Sequence, residues 1–480
     1  MDPFRANQAW NVVSGFGDTA VVKLVVPCGL WPLALEMTWM DSLHLTREEL
    51  EPYWMPFTGN RQFKADPRMI VASEGVFLVD DRGRRVLDGL SGLWCCGVGH
   101  NRREITEAVS AQLQTLDYAP AFQFGHPGAF ALASRLKAIT PVGLDYAFFT
   151  NSGSETVDTA LKMARAYWRL RGKSEKTRFI GRARGYHGVN YGGVSVGGIP
   201  ANVEPFGPGL ESALLSSTLL PENAFSRGIP AAGLELAEEL VALIARFGAD
   251  QIAAVIVEPV VGSGGVVPPP LGYLERLRAI CDDNEILLIF DEVITGLGRC
   301  GAMTAAEVFG VLPDVMTLAK QLTNGAIPMG AVMASAPIYE AFMNAGAPQH
   351  LLEFNHGYTY SGHPVGCAAA LAVLDILEQE ALPQRVAQEA AYFEDVLHEL
   401  KGAPHVRDIR NFGFAGGLQL APMDGDPTRR PFEVAMRMWG KGFYVRYGGD
   451  VIALGLPFIM ERHQIDSLVT ALGEALDELD

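Results

Sequence analysis

Leu287-Leu288-Ile289-Phe290-Asp291-Glu292-Val293-Ile294-Thr295-Gly296-Leu297-Gly298-Arg299 begins with four large apolar residues and turns abruptly acidic. Such a run reads as a strand buried on both faces, because a half-exposed strand would alternate apolar with polar residues. A second strand-like run, Asp314-Val315-Met316-Thr317-Leu318-Ala319, ends on Lys320, 29 residues beyond Asp291 (320 − 291 = 29). That interval leaves room for the crossover that two parallel strands require. In an open α/β sheet, ligands bind outside the carboxyl ends of the strands. The two runs therefore place an acid and an amine at two such ends.

Working outward, the same alternation continues. Upstream, strands are expected at Tyr146–Thr150, at Phe179-Ile180 and at Ile252–Val257, with helices over Arg103–Leu116, Pro127–Ala138, Thr156–Arg169, Leu234–Phe247 and Leu271–Asp283. Glycine and proline recur from Gly192 to Pro230, which predicts a long excursion or lid. A strand at Ala331–Ala334 follows the loop after Lys320, and a helix is expected at Val365–Glu380. Near the start, Thr46-Arg47-Glu48-Glu49 has the form of a capped helix, and short strands near Met69–Ser73 and Gly75–Asp80 make a small meander with the turn Asp81-Arg82-Gly83. The C-terminal part alternates helices (Gln384–Lys401, Pro431–Lys441, Arg462–Glu478) with strands near Val406–Asn411, Phe414–Leu420, Phe443–Arg446 and Val451–Leu454. The expected fold class is α/β: a large domain over 91–375 with a mostly parallel sheet flanked by helices. A smaller α+β domain is expected from 37–90 and 376–480.

Bulk properties narrow the function. At 480 residues, with 49% hydrophobic and 19% charged residues, the chain is globular and holds about two or three domains. A formal charge of −17 disfavours a nucleic-acid footprint or attraction to anionic membranes. Cys28, Cys95, Cys96, Cys281, Cys300 and Cys367 show no zinc spacing and suit reduced thiols in a cytoplasmic protein. The apolar stretch from Ala20 to Leu35 is broken by Lys23, Pro27, Gly29 and Pro32, so neither a membrane span nor a signal peptide is expected there. Residues 1–36 lack periodicity, and the natural chain is expected to begin at Met37 or Met40.

A carboxylate to face a pyridine nitrogen and a lysine to form an imine are what pyridoxal phosphate (PLP) requires of a protein. Asp291 closes a buried strand, so its charge must be paired, either with the cationic ring or in a structural ion pair. Lys320 is costly at an apolar strand end unless its charge is neutralised or used. Ser152-Gly153-Ser154 stands between a strand and a helix, where free amides and the helix dipole attract a phosphate; the same residues also serve as ordinary caps. Tyr186, in Gly185-Tyr186-His187-Gly188, could stack on a planar ring or be a core aromatic. His187 reads as structural rather than as a base, a role Lys320 already fills. Glu258 ends an apolar strand before Pro259, near the cofactor or merely solvated. Glu292 would point away from Asp291 and reads as structural.

These motifs together resemble the class III (ω-) aminotransferases. The resemblance is carried by Leu288–Arg299, Leu318-Ala319-Lys320, Phe148–Glu155, Tyr186-His187-Gly188 and Tyr358-Thr359-Tyr360-Ser361-Gly362-His363-Pro364. It extends from about Leu50 to the C-terminus. Leu93-Trp94-Cys95-Cys96-Gly97, Leu116-Asp117-Tyr118-Ala119-Pro120 and Thr323–Gly330 resemble the β-alanine–pyruvate branch. Gln321, Leu297 and Gly362 depart from residues common in the family, without removing a chemical group.

The resemblance implies a PLP fold-type I enzyme, a homodimer or homotetramer with active sites at the subunit interface. It implies Lys320 as the Schiff-base lysine and Asp291 as partner of the pyridine nitrogen. Ser152, Gly153 and Ser154 would bind phosphate, and Tyr186 and Val293 would sandwich the ring. Thr359 would reach the phosphate of the neighbouring subunit. Trp94 would line the substrate pocket, and Arg446 would grip a substrate carboxylate and swing aside for plain amines. The implied reaction moves the amino group of an ω-amino acid or amine to a keto acid, pyruvate. Alternatives are another class III chemistry (aminomutase, racemase or decarboxylase) and, from outside enzymology, a catalytically silent binding protein.

Overall fold

The computed structural model describes residues 45–346, 348–423 and 425–479. Residues 1–36, with Met37 and Met40, lie outside them. Residues 45–67 form a unit of their own. There Thr46 caps the helix Arg47–Leu50: its hydroxyl accepts from the Glu49 amide, and the Glu49 carboxylate accepts from the Thr46 amide at 2.7 Å. A second short helix, Asn60–Ala65, follows an exposed Tyr53-Trp54 pair.

From Arg68 onward, three strands come first: β1 (Ile70–Glu74), β2 (Phe77–Asp80) and β3 (Arg85–Asp88). Seven more make the central sheet: β4 (Leu144–Thr150), β5 (Arg178–Arg182), β6 (Ser212–Leu215), β7 (Ile252–Val257), β8 (Leu287–Asp291), β9 (Val315–Leu318) and β10 (Gly330–Ser335). Their order is β4-β10-β9-β8-β7-β5-β6. The β5–β6, β5–β7, β7–β8 and β8–β9 pairs are parallel, and only β10 runs against its neighbours. The last five strands are β11 (Val406–Phe412), β12 (Ala415–Leu420), β13 (Phe443–Tyr444), β14 (Arg446–Gly448) and β15 (Val451–Gly455). Four of them form the antiparallel sheet β11-β12-β15-β14, while β13 joins β1-β2-β3 by pairing parallel to β3. N- and C-terminal segments thus share one small sheet.

Every residue of β7 and β8 is buried. Along β8, Leu288 and Phe290 enter one apolar cluster with Leu274 and Leu277 of the helix Tyr273–Asp283. Leu287 and Ile289 enter the other, with Val157, Leu161 and Ala164 of the helix Gly153–Leu170. Alternate side chains therefore face two helical layers, which is why β8 shows no polar residue until its end.

The excursion expected over 192–230 is shorter than the sequence suggested. It holds β6, an edge strand of the central sheet, and the helix Tyr191–Val196. Ser212-Ala213-Leu214-Leu215 becomes a strand through parallel pairing with β5, a non-local effect. The single strand expected at Phe443–Arg446 is divided at Val445 between two sheets, and the helix Ala336–Met343 was not foreseen.

Candidate active site

The parallel strands deliver their chemistry to one end of the sheet. Ser152–Ser154 follow β4, Tyr186 and His187 follow β5, Glu258 follows β7, Asp291 closes β8 and Lys320 follows β9. Gly153 and Ser154 open a helix, Lys320 opens a short 3-10 turn, and the others lie at strand ends or in loops. Lys320 holds a left-handed backbone (φ +48°), a conformation that costs energy for a side chain with a Cβ. Together they line a cavity of about 340 Å3, along with Val293, Leu93 and Cys95.

Asp291 is buried and held on three sides. Its Oδ2 meets His187 Nδ1 at 2.8 Å, and its Oδ1 accepts from Thr317 Oγ1 and from the Val293 amide, each at 3.1 Å. Asp291 and Thr317 are register partners across β8 and β9. His187 is itself buried, and its Nε2 has no partner among the described residues. Glu258 accepts from the Tyr186 amide at 2.9 Å and the Gly262 amide at 2.8 Å. Burial pushes its pKa above the ordinary carboxylate value. Burial pulls the Lys320 pKa below that of a free lysine, against the opposing attraction of Asp291 and Glu258. An amine so placed is more readily neutral and nucleophilic.

The turn at Ser152 works as a cap and as an anion site. The Ser152 hydroxyl accepts from the Glu155 amide at 3.2 Å. The amides of Gly153 and Ser154, the first two of an 18-residue helix, have no intrahelical partner and stand at the cavity wall. Gly153 is pressed on Val293: an added Cβ would lie 2.8 Å from Val293 Cγ1.

Trp94 and Arg446 do not line this cavity, and Thr359, expected to reach the phosphate of a neighbouring subunit, lies in another loop of the chain. Trp94 is 2% exposed and packs with Leu90, Val266, Ile294 and Ala415. Its backbone is left-handed (φ +67°), and its neighbours Leu93 and Cys95 occupy the cavity wall instead. Arg446 does not line the cavity but sits within reach of its charge: it opposes the burial-driven rise of the Tyr186 pKa and adds to the fall at Lys320. Thr359 is exposed in the loop after Gly357, and its carbonyl accepts from Tyr118 Oη at 3.0 Å. Conversely, the grip of His187 and Thr317 on Asp291 escaped the sequence. Thr317 is the one hydroxyl in the run Val315–Leu318, a signal that pointed to it without saying what it met. Glu292 turns away from the cavity, as expected for a structural role. Its carboxylate accepts from Ala305 N, Ala306 N and Thr295 Oγ1, stapling the start of the helix Ala305–Phe309.

The family model Aminotransferase class-III matches residues 59–476. The chain belongs to the class III aminotransferases. This aminotransferase is 58% identical to the β-alanine–pyruvate aminotransferase of Pseudomonas aeruginosa over 89% of its own length and 96% of that protein's. It is 56% identical to the ω-amino acid–pyruvate aminotransferase of Pseudomonas putida, over 90% and 96% of the two chains. Among solved structures, an amine transaminase from an uncultivated Pseudomonas species, in its PLP-bound form, superposes with a TM-score of 0.83 at 38% identity, covering 89% of this chain and 99% of that one. Class III aminotransferases depend on PLP. The residues present fit that cofactor: free helix-end amides suit a phosphate, a buried carboxylate suits a cationic ring nitrogen, and a buried amine suits a carbonyl carbon. Among the described residues no helix is long and apolar enough to cross a membrane.

Proposed function

We propose that this aminotransferase moves the amino group of an ω-amino acid of the β-alanine type, or of a plain primary amine, to pyruvate. Alanine and an aldehyde or ketone are the products. The observation that carries the reading is one cavity shared by Lys320, Asp291 and the Gly153-Ser154 amides, with Arg446 in electrostatic reach. The names of the two Pseudomonas relatives point to the same donors and acceptor.

In this proposal Lys320 Nζ would hold the cofactor and is the group placed to take a proton from the substrate carbon next to nitrogen. Asp291 would face the ring nitrogen, with His187 and Thr317 fixing its two oxygens. Gly153, Ser154 and Ser152 would hold the phosphate and Tyr186 and Val293 would flank the ring, while Glu258 orients the Tyr186 turn through its amide. Bound PLP supplies the electron sink that makes carbon–hydrogen cleavage feasible. Arg446 binds a donor carboxylate through two parallel hydrogen bonds, which a guanidinium does better than an ammonium.

The enzyme works as a homodimer or homotetramer. Support comes from the exposed Thr359 loop and the aromatics around it. Tyr118 and Tyr360 stack edge to face at 6.1 Å, both exposed, and Phe122 lies over Gly357. A second copy would cover them and receive Thr359 at its phosphate. Free cysteines among the described residues suit a reducing, cytoplasmic setting.

The test is a donor panel with pyruvate as acceptor, comparing β-alanine with an aromatic amine in wild type and Arg446→Ala. Alanine should form from both donors. Arg446→Ala should cut kcat/KM for β-alanine by about 10- to 100-fold, the scale of a lost charged hydrogen bond, and spare the aromatic amine. No alanine from either donor would refute transamination, and equal losses would remove Arg446 from its role.

A further inference from the structure

Arg299 is a fully buried guanidinium, 2% exposed, without a carboxylate in ion-pair range among the described residues. Burial pulls its pKa down to about 10, so it stays charged near neutrality. A buried cation left this way is expensive unless its donors are all in use. It stands at the end of the loop that leaves Asp291, just after Leu297 (φ +61°) and Gly298 (φ +110°) reverse the chain.

Its donors reach three separate pieces of the chain. Nη1 donates to the carbonyls of Phe414 (3.2 Å) and Leu456, and Nη2 donates to Ser91 Oγ at 3.2 Å. Its own carbonyl accepts from the Phe414 amide at 3.1 Å. Phe414 and Leu456 mark the end of the β12–β15 ladder, where the Leu456 amide donates to the Phe414 carbonyl at 3.0 Å. Ser91 Oγ passes the link on by donating to the Gly455 carbonyl at 2.6 Å. The Phe458 ring lies 4.7 Å under the guanidinium and the Trp94 ring 5.7 Å away. Gly455 must be glycine, since a Cβ there would lie 2.4 Å from the Trp94 ring. Two residues back along β15, Ala453 is the register partner of Arg446.

We infer that Arg299 is a positioning residue for donor selection: it pins the end of β15, the strand on which the Arg446-bearing β14 is paired, to the loop that leaves Asp291. The inference rests on the reading of Arg446 as the carboxylate clamp. A planar fork that meets acceptors from three segments at once fixes their mutual placement, which a point-charged ammonium cannot do. A shift of about 1 Å at a binding group is enough to cost a large factor in turnover at low substrate. Donors without a carboxylate do not use Arg446 and should not notice the shift.

The experiment uses PLP-loaded full-length enzyme with pyruvate, and reads KM and kcat separately for β-alanine and for an aromatic amine. Arg299→Lys keeps the charge and loses the fork. It should raise KM for β-alanine about tenfold, with kcat changed less than about threefold, and leave KM for the aromatic amine within about twofold. Ser91→Ala removes one acceptor and the Gly455 link, and should move the same ratio in the same direction by a smaller factor. It carries the test if Arg299→Lys does not fold. A merely structural role would lower both donors alike; equal changes, or none, in the folded variants overturn the inference. Arg446→Ala run beside them separates the two ideas. If it fails to distinguish the donors, the Arg446 reading falls and this one with it. If it distinguishes them while Arg299→Lys and Ser91→Ala do not, only the role of Arg299 is lost.

Discussion

Glu292 offers a test in which two physical effects compete. It is 1% exposed, so desolvation favours its neutral form. It also accepts from the Ala305 amide at 2.6 Å, the Ala306 amide at 2.8 Å and the Thr295 hydroxyl at 3.1 Å, all of which favour the anion. Burial wins and pushes its pKa up to about 7 from an ordinary 4.5. A carboxyl raised in the fold binds more protons folded than unfolded between those two values. Its contribution to stability is therefore greatest below about pH 4.5 and falls as pH rises to about 7, by about 3 kcal/mol at 1.36 kcal/mol per unit. Glu292→Gln cannot titrate. It loses one of the acceptor oxygens, but that loss is constant with pH. The stability of Glu292→Gln relative to wild type should thus improve by about 3 kcal/mol between pH 5 and pH 8. With an unfolding entropy near 2.1 cal/mol/K per residue, this corresponds to about 3 °C in the Tm difference for a chain of this length. Differential scanning calorimetry of both proteins at one scan rate and at each pH reads it, because every group common to the two cancels. A Tm difference that is flat across this range, or that moves against Glu292→Gln, would mean that three hydrogen bonds at a helix start outweigh burial.

Two further outcomes follow from the site. Thr317→Val removes the hydroxyl that donates to Asp291 Oδ1 and keeps the shape, so a bond to a charged acceptor worth about 1.5–3 kcal/mol is lost. PLP should then be held about 10- to 100-fold more weakly, read by fluorescence titration of the apoenzyme, and an unchanged affinity would detach Thr317 from the cofactor. Cys95 lines the cavity with its Sγ 3.7 Å from Cys96 Sγ, and the Cys96 thiol, helped by the Leu93 backbone, draws its pKa below that of a free thiol against the opposing effect of burial, while burial pushes Cys281 and Cys367 up to about 12. Iodoacetamide at neutral pH should therefore label Cys95 first among the described cysteines in peptide mapping of the apoenzyme, and more slowly in Cys96→Ser; preferential labelling of Cys281 or Cys367 would contradict this.

What could be read in the sequence divides along a physical line. That Asp291 and Lys320 stand at buried strand ends beside one cavity was legible, because the cost of ending a buried strand on a charge is local: four apolar neighbours are enough to demand a reason for the charge. For the same reason Ile252–Val257 was read with its observed bounds. Strand β6 was not legible, since Ser212-Ala213-Leu214-Leu215 is ambiguous alone and is made a strand by β5. The His187–Asp291 bond joins residues 104 apart, and Thr317 meets Asp291 only because β8 and β9 pair in one particular register. Trp94 shows the limit most clearly. The motif around it pointed to the pocket, but Ser91, Gly92 and Trp94 all take positive φ, a backbone that the motif does not announce. Leu93 and Cys95 took the wall, and Trp94 went to the junction beneath Arg299. A motif fixes which residues share a neighbourhood. Which of them lines the cavity also depends on backbone handedness over three or four residues, and a period of 2.0 or 3.6 carries no information about that.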